Sequence, residues 1–364
     1  MMADDHVFDL AVVGAGPAGC AAAIWAAERG LSVLLVDRSQ SPRVRPGECL
    51  HPGIEALFRD LGVQDQVLAK CQVRPLGRTV FVGEERRFEY FGSDAEGPWR
   101  AFHLSRAELD DIFRDRAQQL GVTLRIHRSR IAPVISDGRI KGVDLGGQML
   151  RCAFVIDATG QSAWLTRALG RRPVAASPRM TAFFGYRRGR MFDEQMFLAD
   201  AAGWQWVAQV SQDVVNWTSM HFGVHKAPHP PDVISSLSPC GISGGADVTW
   251  RMAPVVAGPS YFIVGDAALV TDPASGNGVL RAVMSGIKAA SNARAVIAGR
   301  ALEAAAARDY EVWLRRWFVA DVDRLVSMYE SLREDWQTPC VDSRVARQSI
   351  PLLPSRSSLT SLAY

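Results

Sequence analysis

The chain has 364 residues, 48% of them hydrophobic, which is long for one simple core and predicts two domains or one domain with a large insertion. Its 41 basic and 38 acidic side chains nearly cancel to a net charge of +3, so charge gives no reason to expect a nucleic acid or a membrane surface as partner. The six cysteines, at positions 20, 49, 71, 152, 240 and 340, form no C-x-x-C pair, which argues against a zinc knuckle or a disulfide framework and suits a reducing cytoplasm.

The opening "MMADDHVFDL" has no basic stretch leading into an apolar run, so no secretory signal is expected, and no apolar run reaches membrane-spanning length. The expectation is a cytoplasmic protein without a membrane span. Val7 to Val13 reads as a buried parallel strand, Pro17 to Arg29 as an Ala-rich helix, and Ser32 to Val36 as a second strand. Gly14, Gly16 and Gly19 fall in the turn between strand and helix as G-x-G-x-x-G. In that position the motif has a mechanism: Gly14 permits the turn, Gly16 lets a pyrophosphate approach the backbone, and Gly19 lets helix pack closely on strand. The helix N-terminus then offers free N–H groups to the phosphates. Asp37 ends the second strand 23 residues after Gly14, near the offset of a ribose-binding acid. These features predict a dinucleotide site but do not choose between NAD and FAD.

Further along, "RPGECLHPGIEALFRDLGV" predicts a helix beginning near Pro52, which Glu48 is placed to cap. Residues 77 to 92 alternate like a hairpin. Ser105 caps a helix whose first turn carries Arg106, and Ile131 sits at the end of a strand. "FVIDATGQSA" puts Asp157 and Gly160 at the end of an apolar strand. Residues 180 to 226 supply several more strands, among them "GWQWVAQV". There Trp204 and Trp206 project from one face, which suits either an ordinary core or the wall of an aromatic-binding chamber. His221, His225 and His229 recur every four residues, but four residues of strand span about 13 Å, so no metal site is expected. "YFIVGDAALVTDPASGNGVLRAV" places Gly265 and Asp266 after another strand, with Pro273, Gly276 and Gly278 ahead of a helix. Ala301 to Trp336 predicts one or two amphipathic helices with Trp313, Trp317, Leu325 and Tyr329 mostly on one side, and 337–364 an irregular tail.

Taken together over about residues 5 to 300, G-x-G-x-x-G, D-A-T-G and G-D followed by P-x-x-G-x-G resemble the superfamily of FAD-dependent aromatic hydroxylases, flavin-dependent tryptophan halogenases and geranylgeranyl reductases. A branch that modifies tryptophan in a partner protein during quinone-cofactor maturation is similar too. The resemblance implies an α/β fold: a doubly wound, Rossmann-type FAD-binding domain from 1–73, 103–175 and 254–300, and an interleaved antiparallel-sheet substrate domain from 74–102 and 176–253. A helical segment, 301–336, and the tail would follow. It implies FAD as cofactor, with Asp266 on the ribityl hydroxyls and Pro273, Gly276 and Gly278 starting a helix aimed at the pyrimidine edge of the flavin. Arg106 would meet the phosphates and ribose, and Ile131 the adenine. Gly47, Glu48 and Pro52 match a Gly-Glu-x-x-x-Pro stretch beside the flavin, where Glu48 would orient the ring or steer a proton, unless it caps the following helix.

The halogenase pattern Gly-Trp-x-Trp-x-Ile-Pro is matched by Gly203, Trp204 and Trp206, but Ala208 and Gln209 replace Ile-Pro. Where halogenases carry a lysine for the hypohalous species, this chain offers Arg74 or Arg78, and a guanidinium does not readily replace an ammonium. The expectation is therefore an FAD-dependent monooxygenase. It would hydroxylate an aromatic substrate, free or bound to a protein, peptide or carrier, through a flavin hydroperoxide formed with molecular oxygen. Trp204 and Trp206 would form part of the substrate-side wall. Electrons would come from NAD(P)H or a flavin reductase, because a single G-x-G-x-x-G follows a strand. The rival readings are a flavin-dependent halogenase, an FAD-dependent C=C reductase and a non-catalytic FAD-binding assembly factor.

Overall fold

In the computed structural model, residues 7–40, 46, 49–223 and 230–333 are described. Gly47, Glu48, His225, His229, Cys340 and the 337–364 segment, on which several expectations fall, lie outside them. The strand Phe8–Val13 lies between Met149–Asp157 and Val33–Asp37 and runs parallel to both, with Val13 level with Asp157 and Val36. Both faces are covered, which is why these strands read as unbroken apolar runs rather than alternating ones. Thr123–Ile126 extends the sheet beyond Val33–Asp37, and Tyr261–Ile263 pairs in parallel with Met149–Asp157. On the other side Ile131–Ser136 and Arg139–Leu145 continue it as an antiparallel hairpin.

The Ala-rich helix Pro17–Glu28 follows the first strand, and eight of its 12 residues are buried. A second helix, Gly278–Ile297, crosses it at Gly286, where an added Cβ would come within 2.1 Å of the Ala18 carbonyl oxygen. Small residues let the two backbones touch, and both helices begin near the carboxyl ends of the parallel strands.

A second sheet has seven strands in the spatial order Ser238–Asp247, Thr181–Arg188, Val214–His221, Gly203–Gln209, Gln195–Asp200, Gly77–Val82, Glu85–Tyr90. All neighbours are antiparallel except Gln195–Asp200 with Gly77–Val82, which are parallel. The hairpin read in residues 77–92 is thus joined to a sheet built mostly from segments a hundred residues later.

The C-terminal region is one helix, Glu303–Leu332, of 30 residues. Its buried stripe is Tyr310, Leu314, Phe318, Val322, Leu325 and Tyr329, at spacings of three and four. Trp313 and Trp317 flank that stripe rather than form it, Trp317 lying over the Arg281 guanidinium at 3.7 Å. Near its start Tyr310 donates a hydrogen bond to the Ile263 carbonyl in the parallel sheet at 2.7 Å. Near its end Tyr329 reaches the second sheet. Among the described residues no helix is long and apolar enough to cross a membrane.

Candidate functional site

Between the carboxyl ends of the parallel strands and one face of the second sheet lies a cavity of about 840 Å³. At its first end the three glycines divide their work as the motif predicts. Gly14 has φ +108° and a Cβ there would sit 2.3 Å from the Ala158 carbonyl oxygen, while one on Gly19 would sit 1.8 Å from that of Gly14. A Cβ on Gly16 would meet nothing within 4 Å, so the backbone there is open to the cavity. Pro17 follows at the first helical position, where its missing N–H would have been unpaired anyway.

Asp37 lines this end, but much of its carboxylate serves the loop. Oδ2 accepts from the Ala15 N–H at 2.7 Å, Oδ1 from the Ser39 N–H at 2.9 Å, and Arg114 pairs with Oδ2 at 3.3 Å. Arg114 also donates to the carbonyls of Ala15, Ser39 and Gln40 at 3.3, 2.9 and 2.9 Å, tying the glycine turn to the chain leaving the second strand. This buried arginine escaped the sequence reading. Its signal was present: Arg106, Asp110 and Arg114 recur every four residues along the helix Arg106–Gln119 and share one face.

Ser105 caps that helix, accepting from the Ala107 N–H at 3.2 Å, and Arg106 stands in its first turn. Arg106 Nη2 bonds Asp110 at 3.3 Å, but its buried Nε has no partner among the described residues. An orphaned guanidinium N–H beside a cavity is the donor that a phosphate or ribose oxygen would satisfy. Ile131 also lines the cavity, although its carbonyl already accepts from the Trp164 indole at 2.9 Å.

Asp157 needs correction as a cofactor contact. It is fully buried and does not line the cavity; its oxygens accept from the Thr159 N–H at 3.0 Å, the Thr159 hydroxyl at 2.7 Å and the Leu165 N–H at 2.8 Å. Burial pushes its carboxyl above the ordinary range. It shapes the turn that presents Thr159 and Gly160, and these do line the cavity.

Beside the first helix, where its added Cβ would lie 3.0 Å from that of Ala18, Gly265, with φ +57°, donates its N–H to Ser285 Oγ at 2.9 Å and delivers Asp266 exposed to the cavity. Asp272 caps the short turn Pro273–Ser275, accepting from the Ala274 N–H at 2.8 Å. Gly276, with φ +68°, lets the chain reverse into the helix that opens at Gly278. The N-terminus of this 20-residue helix opens on the cavity through Gly278, Val279 and Ala282.

Behind the turn lies a buried polar chain. Trp204 Nε1 donates to the Tyr329 hydroxyl at 2.9 Å, and that hydroxyl donates to Asp272 Oδ2 at 2.5 Å. Burial above all pushes the Asp272 carboxyl up to about 6. Burial and the neighbouring carboxylate raise the Tyr329 hydroxyl as well.

The two tryptophans share a face but not a role. Trp204 is 1% exposed and its indole is committed to Tyr329, so it forms the deep floor of the wall. Trp206 is only partly buried and stands in register with Thr218, which is itself in register with Phe184. These three cross the sheet in one row and, with Asn216, line the cavity. The Ala208–Gln209 departure has a structural use: Gln209 donates to the Gly189 and Ser211 carbonyls at 3.0 and 2.7 Å and accepts from the Met191 N–H at 2.8 Å. Its own carbonyl is 2.8 Å from His103 Nδ1. Arg74 pairs with Glu55 at 3.0 Å and Arg78 with Glu89 at 2.9 Å; neither lines the cavity, and no lysine is among the described residues that do.

Two helix N-termini facing one cavity suit a cofactor that carries a pyrophosphate and, a sugar chain away, a ring system that becomes anionic on reduction. FAD has that shape, and the class so defined is the FAD-dependent oxidoreductases. The chain belongs to the family described as the FAD binding domain, whose model matches residues 8–227, more than half its length. It is 26% identical over 333 residues to the 1H-pyrrole-2-carbonyl-[peptidyl-carrier protein] brominase of Pseudoalteromonas luteoviolacea, covering 82% of this chain and 80% of that one. It is 28% identical over 318 residues to the menaquinone reductase of Mycolicibacterium smegmatis, covering 74% and 72%. Among solved structures, the myxobacterial chondrochloren halogenase CndH superposes with a TM-score of 0.83 at 23% identity, over 94% of this chain and 88% of that one. PqsL of Pseudomonas aeruginosa, described as a probable FAD-dependent monooxygenase, does so with 0.77 at 17%, over 91% and 97%. At such identities the two structures speak for the fold alone.

Proposed function

We propose that the chain is an FAD-dependent monooxygenase that hydroxylates an aromatic substrate lying against the second sheet. The observation that carries this reading is the row Trp206, Thr218 and Phe184: two aromatic rings flanking one hydroxyl, on the sheet face that closes the FAD cavity. Reduced FAD, when bound, supplies the activation of molecular oxygen. The chain's part is to hold and shield. The N-terminus of Gly278–Ile297 would stabilise negative charge on the reduced flavin, and Asp266 would hold the ribityl chain. Trp206 and Phe184 exclude water from the reacting face, and Thr218 or Asn216 orients a polar group on the ring. Glu48, outside the described residues, is assigned to orient the flavin or move a proton. Electrons come from NAD(P)H at the flavin or from a separate flavin reductase.

A second reading, halogenation, draws support from the brominase relative. Against it stand the ion-paired arginines at 74 and 78 in place of a lysine. The carrier-bound pyrrole in that relative's name also makes carrier-bound rings a natural first substrate set. The deciding experiment supplies photoreduced protein with oxygen, excess bromide and free or carrier-bound pyrroles, indoles and phenols, and weighs the products. A product heavier by one oxygen supports the hydroxylase. A brominated product transfers the assignment to halogenation; in a parallel arm without oxygen, offered a prenylated quinone, reduction of the prenyl side chain transfers it to the C=C reductases.

A further inference from the structure

We infer that Tyr329, near the end of the C-terminal helix, is a positioning residue for FAD, its hydroxyl bridging Trp204 of the substrate-side sheet and Asp272 of the turn that aims a helix N-terminus at the flavin. The inference rests on FAD binding and not on which oxidation follows. The contact pairs residues 57 positions apart, and the hydroxyl's second contact, to Trp204, spans 125. All three groups are buried.

Asp272 has two oxygens with separate duties. Oδ1 caps the Pro273–Ser275 turn through the Ala274 N–H at 2.8 Å, while Oδ2 accepts from Tyr329 at 2.5 Å and from the Trp250 indole at 3.4 Å. A carboxylate held at one oxygen alone would be free to rotate about its Cβ–Cγ bond, and rotation would loosen the cap. The Tyr329 hydroxyl, much closer to Oδ2 than the Trp250 indole, is the main restraint on that rotation and satisfies a buried anion that is costly to leave unpaired. The tyrosine ring is held independently of its hydroxyl. It stacks on Trp250 at 5.8 Å between centroids and meets Phe222 edge-on at 5.1 Å. Deleting the oxygen while keeping the ring therefore separates positioning from packing.

Titration of apo-protein with FAD, followed by flavin fluorescence, tests this. Tyr329→Phe is expected to keep the fold of the apo-protein with a lowered melting temperature, since Asp272 and the Trp204 indole lose a buried partner, to bind FAD roughly tenfold more weakly, and to shift the visible absorption of bound flavin. Wild-type affinity with an unshifted spectrum would overturn the inference. Should Tyr329→Phe give no folded protein, hydrogen exchange on the wild type decides, because coupling is reciprocal. FAD must then slow exchange in the last turns of the helix, Leu325 to Leu332, more than in its first turns. Equal exchange with and without FAD in those last turns would overturn it equally.

Discussion

Trp206 stands over Gly276, its ring 3.4 Å from where a Cβ on that glycine would sit. The second sheet thus touches the turn that leads into the helix opening on the cavity. Gly276→Ala would force a side chain into a left-handed conformation, at φ +68°, for roughly 1–2 kcal/mol, while its methyl would only meet the Trp206 ring at contact distance. The expected outcome is folded protein that retains less FAD, read as the flavin-to-protein absorbance ratio beside the melting temperature. Full FAD content would show that the turn has slack.

The glycine turn makes a paired prediction. Gly16 has open space around it, so Gly16→Val should fold with a near wild-type melting temperature and carry no FAD, its side chain filling the pyrophosphate's place. Gly19→Ala places a methyl 1.8 Å from a backbone oxygen and should cost the fold itself. Circular dichroism melts and flavin content of the two purified variants separate the cases, and a fully flavinated Gly16→Val protein would refute the assignment.

The tryptophans should part company under alanine substitution. Trp204→Ala removes a ring that is 1% exposed and leaves the Tyr329 hydroxyl short of a donor, so a loss of about 3–5 kcal/mol is expected in urea unfolding. Trp206→Ala, at a partly buried wall position, should cost much less stability. With substrate it should instead raise the share of consumed oxygen that ends as peroxide, because a thinner wall admits water. Equal destabilisation of both variants with unchanged coupling would place Trp206 in the core.

Asp272 gives stability a pH dependence of unusual sign. Its carboxyl, near 3.8 when unfolded and about 6 in the fold, keeps its proton longer in the native state. The corresponding stabilisation is complete below the unfolded value and is lost as pH rises through about 6, a difference on the order of 3 kcal/mol. Urea midpoints measured from pH 4 to pH 7 should fall more steeply for wild type than for Asp272→Asn. Parallel curves would show that the carboxyl titrates normally.

Much of the cofactor site is legible because each FAD turn is local: a strand end, a glycine or two, and a helix start within a few residues. The buried chain is not, since nothing in the sequence near Tyr329 announces a partner 57 or 125 positions away. The strand Ser238–Asp247 escaped notice because glycines at 241, 244 and 245 give it poor strand propensity; pairing with Thr181–Arg188 overrides that preference. Asp157 misled in the opposite direction. An aspartate two residues before a threonine at a strand end caps its own turn as readily as it meets a ligand, and here it does the former.

The close crossing of Pro17–Glu28 and Gly278–Ile297 at Ala18 and Gly286 has a kinetic consequence. On the proposed placement of FAD one helix would face the pyrophosphate and the other the ring, and the two backbones are in contact. Neither end can open by swinging its helix without dragging the other. Departure of the cofactor should therefore be a single slow event, in which phosphates and ring let go together, rather than a stepwise peeling from one end.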